Sequence, residues 1–422
     1  MQADWQRARE PPASEAKRGI GVMTEREWRT PALVLVSGAM VLFLSLGIRQ
    51  SYGLFLKPIS EALGGGRATF AFAIAIQVVM WGLAQPLLGP VADRLGVGRI
   101  VAAGGLLIAA GTAMVAWATG QAALVIGLGI LVGTGVGCAS FAMVLTAVAR
   151  RYPPEKRTLA FGICTAVGSF GMFAMVPIGQ MLQARLAWDG ALLVMAVLAL
   201  AILPLAWPLA GRPQAQAAGG QSLGQALGEA LRHHGFWLLC GGYFVCGFHV
   251  TFIATHLPAY LVDRTLSFST AAWALSLIGL FNVLGSLLAG MLGQRFRKKY
   301  LLSAIYVARS MVILGFIMLP LSATSAYIFA AVIGVLWLST VPLTTGLVGQ
   351  IFGVRYLGTI GGLVFLSHQL GSFAGVWLGG YLFDATGSYD VVWWLSIALG
   401  LFAAILHYPI DDRVLAAQPT GA

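Results

Sequence analysis

The chain has 422 residues, of which 58% are hydrophobic and only 10% are charged. Soluble proteins average about 25% charged residues, so this composition excludes a water-soluble globule of this size. The formal net charge of +11 would suit a nucleic-acid partner, but the placement of the basic residues favours a membrane topology instead.

The first part of the chain contains six long apolar blocks. Residues 1–31 precede them; they are polar and charged, lack the apolar region of a signal peptide, and are expected to form a disordered cytoplasmic tail. Each block has about 20 residues or more, enough to cross a bilayer as a helix. The predicted spans are 33–56, 69–91, 100–119, 122–148, 159–181 and 190–210, in a predicted half of 32–210.

A polar connector rich in small residues, 211–235, follows and is predicted to be a cytoplasmic linker. Six further spans are predicted at 236–262, 271–293, 300–320, 325–349, 358–382 and 391–410, in a second half of 236–410 before a cytoplasmic tail of 411–422. The blocks are apolar on every face and far exceed about ten alternating residues, which excludes transmembrane strands. The sequence therefore predicts an all-α membrane protein with twelve transmembrane helices in two homologous six-helix halves.

The basic residues are distributed unevenly between the two sides of this predicted bundle. Of the 26 Lys and Arg residues, 20 lie in the tails and in connectors after even-numbered helices, against four after odd-numbered helices. By the positive-inside rule, both termini are then cytoplasmic in a bacterial inner membrane. The basic charge reports topology, and no nucleic-acid partner is expected.

The two remaining basic residues, Arg49 and Arg309, lie inside apolar blocks, where an arginine costs about 2.5–3.5 kcal/mol on insertion scales. Every Asp and Glu falls in a tail, a connector or a helix end, so a mobile carboxylate is the predicted counter-ion for such a guanidinium. Arg49 is the predicted anchor, with Tyr52 on the same helix face, and Arg309 is the second candidate. For both arginines, a purely structural pairing is the alternative.

Further polar groups lie within the predicted spans of the second half. His256, His368 and Gln369 could donate hydrogen bonds to an anion, and each histidine could carry a proton. The alternative for each histidine is an ordinary hydrogen bond between helices. We predict that these residues, together with Asn282, form the polar walls of a substrate site.

An internal repeat supports two related halves. "GSFGMFAMVPIGQML" begins at Gly168 in the fifth span, and "GSFAGVWLGGYLFDA" begins at Gly371 in the eleventh span. Paired repeats of this kind build transporters that hold the substrate between the two halves and open to each side in turn.

The segment "GPVADRLGVGR" after the second span resembles the loop signature of the major facilitator superfamily. The residues that carry the resemblance are Gly89, Asp93, Arg94, Gly96 and Arg99. The resemblance implies a gating loop, in which Asp93 pairs with basic groups and a helix end when the halves close on the cytoplasmic side.

A narrower resemblance lies at the fifth span. In "RRYPPEKRTLAFGICTAVGSFG", the residues Tyr152, Arg157, Gly162 and Gly168 resemble bacterial members of the monocarboxylate porter and oxalate–formate antiporter group. This resemblance implies a role for His368, because oxalate-exchanging relatives use a basic residue in that part of the eleventh helix.

The chain departs from vertebrate-type monocarboxylate porters in the eighth span. Those porters carry an acid and an arginine one turn apart, and the matching positions here are Asn282 and Ser286. The usual carboxylate anchor and proton partner are therefore missing, and Arg49 is the predicted replacement.

Together these features predict a secondary active transporter that moves a small organic anion, most simply a monocarboxylate, by alternating access. A coupled proton or counter-anion is the expected co-substrate, and a monomer the expected functional unit. The alternatives are a dicarboxylate or organic-anion exchanger, a multidrug exporter of the same fold, and, from other classes, a membrane sensor or enzyme. No catalytic activity, cofactor or metal is expected.

Overall fold

A computed structural model describes residues 30–211, 222–353 and 357–413 of the chain. Most of the two predicted tails, residues 1–29 and 414–422, lies outside the described residues, as do 212–221 of the predicted linker and 354–356. The linker residues that are described include a short helix, Leu223–Arg232, whose N-terminus is closed by a capping box between Ser222 and Gln225. The predicted boundaries of the two halves remain predictions.

The described chain forms twelve long helices. They are α1 (Pro31–Leu63), α2 (Gly66–Leu95), α3 (Val97–Ala116), α4 (Gln121–Ala149), α5 (154–186), α6 (188–206), α7 (His234–Asp263), α8 (Phe268–Arg295), α9 (Lys298–Met318), α10 (Ala323–Phe352), α11 (Leu357–Thr386) and α12 (Asp390–His407). The boundary between α5 and α6 is Ala187, whose backbone leaves the helical region at φ 57° and ψ −175°. The predicted twelve-helix architecture is confirmed, although several helices extend beyond the predicted spans, most of all α1, which ends at Leu63 rather than at residue 56.

Three of the helices are locally irregular, and each irregularity lies near a polar side chain. α1 tightens into a 3₁₀ turn at Tyr52–Phe55, directly after Arg49. α4 contains a π-helical turn at Val125–Leu131. α10 is interrupted between Leu336 and Thr340. Such interruptions free backbone groups that must find other partners in a membrane.

The repeat seen in the sequence corresponds to the same packing in each half. α5 packs against α1, and α11 packs against α7, the first helix of the second half. A Cβ atom on Gly171 would lie 2.2 Å from the Phe43 carbonyl oxygen, and one on Gly371 would lie 1.8 Å from the Phe244 carbonyl oxygen. Glycine is therefore required at both helix crossings, because no side chain fits between the backbones.

The two sets of six helices meet along α2 with α11 and along α5 with α8. We call the end of the bundle that carries residues 30 and 413 the proximal end, and the opposite end the distal end. Across the middle of the bundle, Gln369 Nε2 donates to the Val78 carbonyl oxygen at 2.9 Å, and Ser276 Oγ donates to the Phe173 carbonyl oxygen at 2.6 Å. These bonds hold the halves together away from the proximal end.

Near the proximal end the same helices are further apart. A Cβ atom on Gly162 of α5, on Gly290 of α8, or on Gly361 and Gly362 of α11 would meet no described atom within 4 Å. By contrast, a Cβ on Gly82 of α2 would lie 2.9 Å from the Gln369 side chain. The bundle is thus closed from its middle to the distal end and looser at the proximal end.

Candidate functional site

Charged side chains close the distal end between the two halves. Asp263, at the end of α7, lies 2.5 Å from Arg67 Nη1 and 3.3 Å from Lys57 Nζ, both of which belong to the first half. Arg67 Nη1 also donates to the Tyr389 hydroxyl at 3.0 Å. Asp384, at the end of α11, belongs to the same group. We call Lys57, Arg67, Asp263, Asp384 and Tyr389 the distal seal.

The start of α2 is held by a carboxylate from the other half. Asp384 accepts hydrogen bonds from the backbone N–H groups of Arg67 at 3.1 Å and Ala68 at 2.7 Å. These N–H groups have no partner within their own helix, and the helix dipole favours a negative charge there. The Arg67 guanidinium also stacks on the ring of Phe383, with Cζ 3.8 Å from the ring centroid. Closing the distal end therefore satisfies groups that an open distal end would expose to water.

His256 lies in α7 beneath the distal seal and contacts it directly. Its Nδ1 is 3.1 Å from the Tyr389 hydroxyl, and its Nε2 is 2.8 Å from the Val376 carbonyl oxygen of α11. The side chain is buried, with 1% of its surface exposed. Both ring nitrogens are occupied in this conformation, so neither faces a substrate.

Arg49 lies near the middle of α1 and faces α2. Its guanidinium is placed over the ring of Trp81, 5.0 Å from the centroid. The Nε atom is buried and has no hydrogen-bond partner among the described residues, and the same is true of Trp81 Nε1. No ion pair found in the described parts of the chain includes Arg49. The charge is partly stabilised by the aromatic face, and the described residues offer it no anionic partner.

An aromatic contact continues from Arg49 into the second half. The Trp81 ring meets Phe365 of α11 at a centroid distance of 5.5 Å. Phe365 is one turn from Gly361, where the proximal end becomes open. Arg49 and Trp81 are therefore at the level where the contact between α2 and α11 gives way to the proximal opening.

His368 and Gln369 of α11 lie on the second-half side of this level. His368 stacks on Phe365 and lies 4.7 Å from the Tyr243 ring. Its Nδ1 contacts Gln369 Oε1 at 2.9 Å, whereas its Nε2 is buried without a partner among the described residues. The Gln369 amide already bonds to α2 across the two halves. After Arg49 and Trp81, His368 is thus the third side chain here with a buried nitrogen that has no partner among the described residues.

Tyr52 and Asn282 are held by hydrogen bonds between helices. The Tyr52 hydroxyl is 2.7 Å from Thr112 Oγ1 of α3. The Asn282 amide donates to Ser169 Oγ of α5 at 3.1 Å and accepts from the Leu338 N–H of the interrupted α10 at 3.0 Å. Asn282 therefore connects the two halves and accepts a hydrogen bond from a backbone N–H at the break in α10. Both contacts are structural.

Arg309 is enclosed within the second half. Its side chain is 1% exposed, and its Nε donates at 3.1 Å to the Leu336 carbonyl oxygen at the break in α10. Its Nη1 lies 3.3 Å from Cys246 Sγ, and its Nη2 donates to the carbonyl oxygens of Leu336 and Trp337. Unlike Arg49, this arginine has its donors occupied by backbone groups that the interruption of α10 set free.

The segment resembling the superfamily signature differs from the expected loop. α2 remains helical through Leu95, and the chain turns at Gly96, whose φ of 88° suits glycine. The second helix therefore continues over residues 92–95, past the predicted end at residue 91. Arg94 and Arg99 are exposed at the proximal end. The side chains of Gly89 and Asp93 lie outside the described residues, so the predicted gate stays a prediction.

The second motif lies at the proximal start of α5. Gly168 packs against Leu42 and Leu46 of α1, whereas a Cβ on Gly162 would reach open space. Tyr152 is half-buried just before α5. The Arg157 side chain lies outside the described residues.

Several residues of the site were not anticipated from the sequence. Arg67, Asp263, Asp384 and Tyr389 are at helix ends, where charged side chains are usually exposed to water. The bond between Arg67 and Tyr389 spans 322 residues of sequence, so no local pattern reveals it. Trp81 is an aromatic residue in an apolar span, and only its unused Nε1 next to a charged group marks it as unusual.

Comparisons with known proteins agree with this architecture. The sequence profile of the Major Facilitator Superfamily matches residues 38–376 and 239–422. The chain belongs to the major facilitator superfamily. As such it is a transporter with multiple membrane-spanning helices, and the family implies a small-molecule substrate.

Relatives within the major facilitator superfamily include both bacterial and animal proteins. The MFS-type transporter YcxA of Bacillus subtilis is 25% identical, covering 88% of this chain and 93% of its own. Monocarboxylate transporter 13 of Rattus norvegicus is 25% identical, covering 85% and 83%. Monocarboxylate transporter 11 of Homo sapiens is 27% identical, covering 89% and 82%. These low identities agree with the family shown by the profile and leave the substrate of this member open.

A solved structure shares the fold of this major facilitator protein. It is a bacterial homolog of the human lysosomal transporter Spinster, in an inward-facing and occupied conformation. The TM-score is 0.71 at 15% identity, covering 92% of this chain and 99% of the other.

Proposed function

We propose that this protein is a secondary transporter of a small organic anion, a monocarboxylate, and that Arg49 binds the carboxylate. The observation that carries the proposal is the unpartnered Nε of Arg49 over Trp81, at the level where the proximal opening begins. A guanidinium in a membrane interior needs an anion, water or aromatic faces around it. The described residues supply an aromatic face and leave the anion to come from outside the protein.

The chemistry of the surroundings supports a carboxylate. A guanidinium binds the two oxygens of a carboxylate with two parallel hydrogen bonds, which a neutral ligand cannot match. The rings of Trp81 and Phe365 would enclose the apolar part of a small acid. A cationic drug would be repelled by Arg49 and would find no membrane-embedded carboxylate among the described residues.

The names of the relatives support the same class. Two relatives are monocarboxylate transporters of rat and human, each aligned over more than four-fifths of this chain. Because each is only about a quarter identical, this support extends to the class of substrate and not to a particular acid.

The arrangement of the halves supports alternating access. The distal seal closes one end with ion pairs, and the proximal end is loose. With the basic residues concentrated at the proximal end, we place that end in the cytoplasm of a bacterial cell and the distal seal outside. Asp93 would then belong to the gate that closes the cytoplasmic end when the distal seal opens.

A dicarboxylate exchanger is the second candidate, because His368 offers a further buried nitrogen. Its Nε2 has no partner in the described chain and lies beside the aromatic contact that begins at Trp81. A second carboxylate or a hydroxyl group of the substrate could occupy this nitrogen. Transport of dicarboxylates in strict exchange, without net uptake of monocarboxylates, would favour this candidate.

Uptake of radiolabelled acids into proteoliposomes tests the proposal. Wild-type protein should take up a small monocarboxylate, Arg49→Lys should weaken binding by about 1–3 kcal/mol, and Arg49→Gln should abolish uptake while folding normally. Arg185→Gln, which removes an exposed arginine of α5, is the matched control and should transport normally. Normal carboxylate uptake by a folded Arg49→Gln variant would refute the anchor role.

A further inference from the structure

We propose that His256 is a proton-binding site that controls the distal seal, and that the transporter therefore responds to acid on the distal side. The inference rests on the proposed alternating access, and it adds the proton as a ligand with a defined site. It concerns a residue outside the Arg49 site, so it can be tested without any substrate.

The hydrogen bonds of His256 determine its protonation state in the sealed form. The Val376 carbonyl oxygen can only accept, so the hydrogen on this side belongs to Nε2 of His256. The Tyr389 oxygen already accepts a hydrogen bond from Arg67, so its own hydrogen is free to point at Nδ1. In this arrangement every donor has one acceptor, and the imidazole is neutral.

Among the described groups around His256, a second proton has only one acceptor, the Tyr389 oxygen, which already accepts from Arg67. α7 contributes Phe252, and α11 contributes the Val376 carbonyl oxygen and the backbone at Gly379, while Tyr260 of α7 packs on Tyr389. The segment before α12 contributes Tyr389, and α2 contributes Arg67 behind it. The carboxylates of the distal seal, Asp263 and Asp384, bond to Arg67, Lys57 and the start of α2 rather than to His256. Of the charged groups in the distal seal, it is the cationic Arg67 that is linked to the imidazole, through the Tyr389 hydroxyl.

Protonation of Nδ1 would break this chain of bonds. The new N–H would point at the Tyr389 oxygen, which would then face two cationic donors in a site where His256 and Tyr389 are 1% and 2% exposed. Tyr389 could no longer donate to His256, and it would hold Arg67 less well because two positive charges would share one oxygen. A protonated His256 therefore favours the open distal end, where water can solvate the imidazolium. Closing the seal returns His256 to the neutral form and releases the proton.

The distance between the two halves at the distal end reports the equilibrium between the sealed and the open form. Ala62 at the end of α1 and Ser269 at the start of α8 are both exposed, and each can carry a spin label after replacement by Cys in a background without the four native cysteines. Distance distributions measured without substrate over a pH series should show an open population that grows as the pH falls. One coupled proton allows the ratio of open to sealed protein to rise by at most about tenfold per pH unit.

Three variants make the result specific. His256→Gln can accept from Tyr389 and donate to the Val376 carbonyl oxygen but cannot bind a proton, so its distal end should stay sealed between about pH 8 and pH 5, where carboxylates are ordinarily ionised. Tyr389→Phe removes the hydroxyl that joins His256 to Arg67, and its open fraction at neutral pH should exceed that of the wild type because Arg67 loses this bond. His249→Gln replaces the other α7 histidine, which bonds to the Ser396 carbonyl oxygen at 2.7 Å, and it should respond like the wild type.

The outcome for His256→Gln decides the proposal. A folded His256→Gln protein that opens as much as the wild type between about pH 8 and pH 5 would overturn the inference, as would a wild-type distal end that does not change over that range. Loss of carboxylate binding in the Arg49 variants leaves this measurement unaffected, so failure of the proton site and failure of the anion site are distinguishable.

Discussion

Replacement of Asp263 with asparagine keeps the shape of the side chain and removes the charge that Lys57 and Arg67 share. Arg67 Nη1 lies 2.5 Å from Asp263, and the two side chains are 11% and 24% exposed. Arg67 would keep its bond to Tyr389 but lose its anion, and Lys57 would lose its partner as well. We expect the sealed distal end to become less stable relative to the open one.

The exposure of this pair sets the size of the effect. Exposed ion pairs contribute about 0–1 kcal/mol, and breaking a buried pair costs about 3–5 kcal/mol. The pair of Arg67 and Asp263 lies between these cases, so the expected cost is about 2 kcal/mol, or an increase of about 30-fold in the ratio of open to sealed protein. The exposed pair of Arg264 and Asp390, 3.6 Å apart with side chains 54% and 64% exposed, is the matched control. Asp390→Asn should change the ratio by about twofold or less.

Labelling of a cysteine beneath the seal measures this ratio. Thr255 is 4% exposed, and its Cα would lie 3.4 Å from a Cβ on Gly53 of the first half. In Thr255→Cys protein, a membrane-impermeant maleimide added to right-side-out vesicles at one pH should react much faster when Asp263→Asn is also present. Equal labelling rates with and without Asp263→Asn would show that the ion pair does not hold the distal end closed.

Three further predictions concern stability. Gly371→Ala places a methyl group 1.8 Å from a backbone oxygen of α7 and should sharply lower the yield of folded protein, whereas Gly361→Ala, with no described atom within 4 Å, should not. Asn282→Ala leaves two buried groups without partners and should cost about 1–3 kcal/mol, measured as a lower temperature of thermal unfolding. Arg297 holds the pKa of Asp412 below its ordinary value. This contact therefore stabilises the protein at neutral pH, and its contribution is lost as the pH falls through the lowered pKa. The difference in unfolding temperature between wild type and Asp412→Asn should shrink over the same fall in pH.

The twelve helices could be predicted because a bilayer imposes a minimum length of apolar sequence on every crossing. The end of α2 was misplaced because a helix can extend beyond the bilayer on polar residues, and only the backbone of Gly96 stops it. The sequence also indicated that Arg49 is unusual, since any charge within an apolar block is costly. It ranked Arg49 above Arg309 but could not show how Arg309 is satisfied, because that depends on whether an interrupted neighbouring helix supplies acceptors.

The distal seal could not be predicted for a different reason. Its five members come from five different helices or helix ends that are far apart in sequence; Lys57 and Asp263, for example, are 206 residues apart. A charged residue at a helix end is compatible with exposure to water, and only the assembled bundle shows that Arg67 is largely buried. His256 was predicted to face a substrate because it lies in an apolar helix, whereas its two hydrogen bonds in the structure are both made within the second half.

Binding of a matched pair of ligands to purified protein tests the central claim most directly. The pair is a small monocarboxylate that the wild-type protein transports and the neutral amide of the same shape, titrated calorimetrically against wild type and Arg49→Gln. The account predicts that wild type prefers the acid to the amide by about 2 kcal/mol or more, and that Arg49→Gln loses this preference while its unfolding temperature is unchanged or higher. An undiminished preference for the acid in Arg49→Gln would contradict the claim that Arg49 binds the carboxylate.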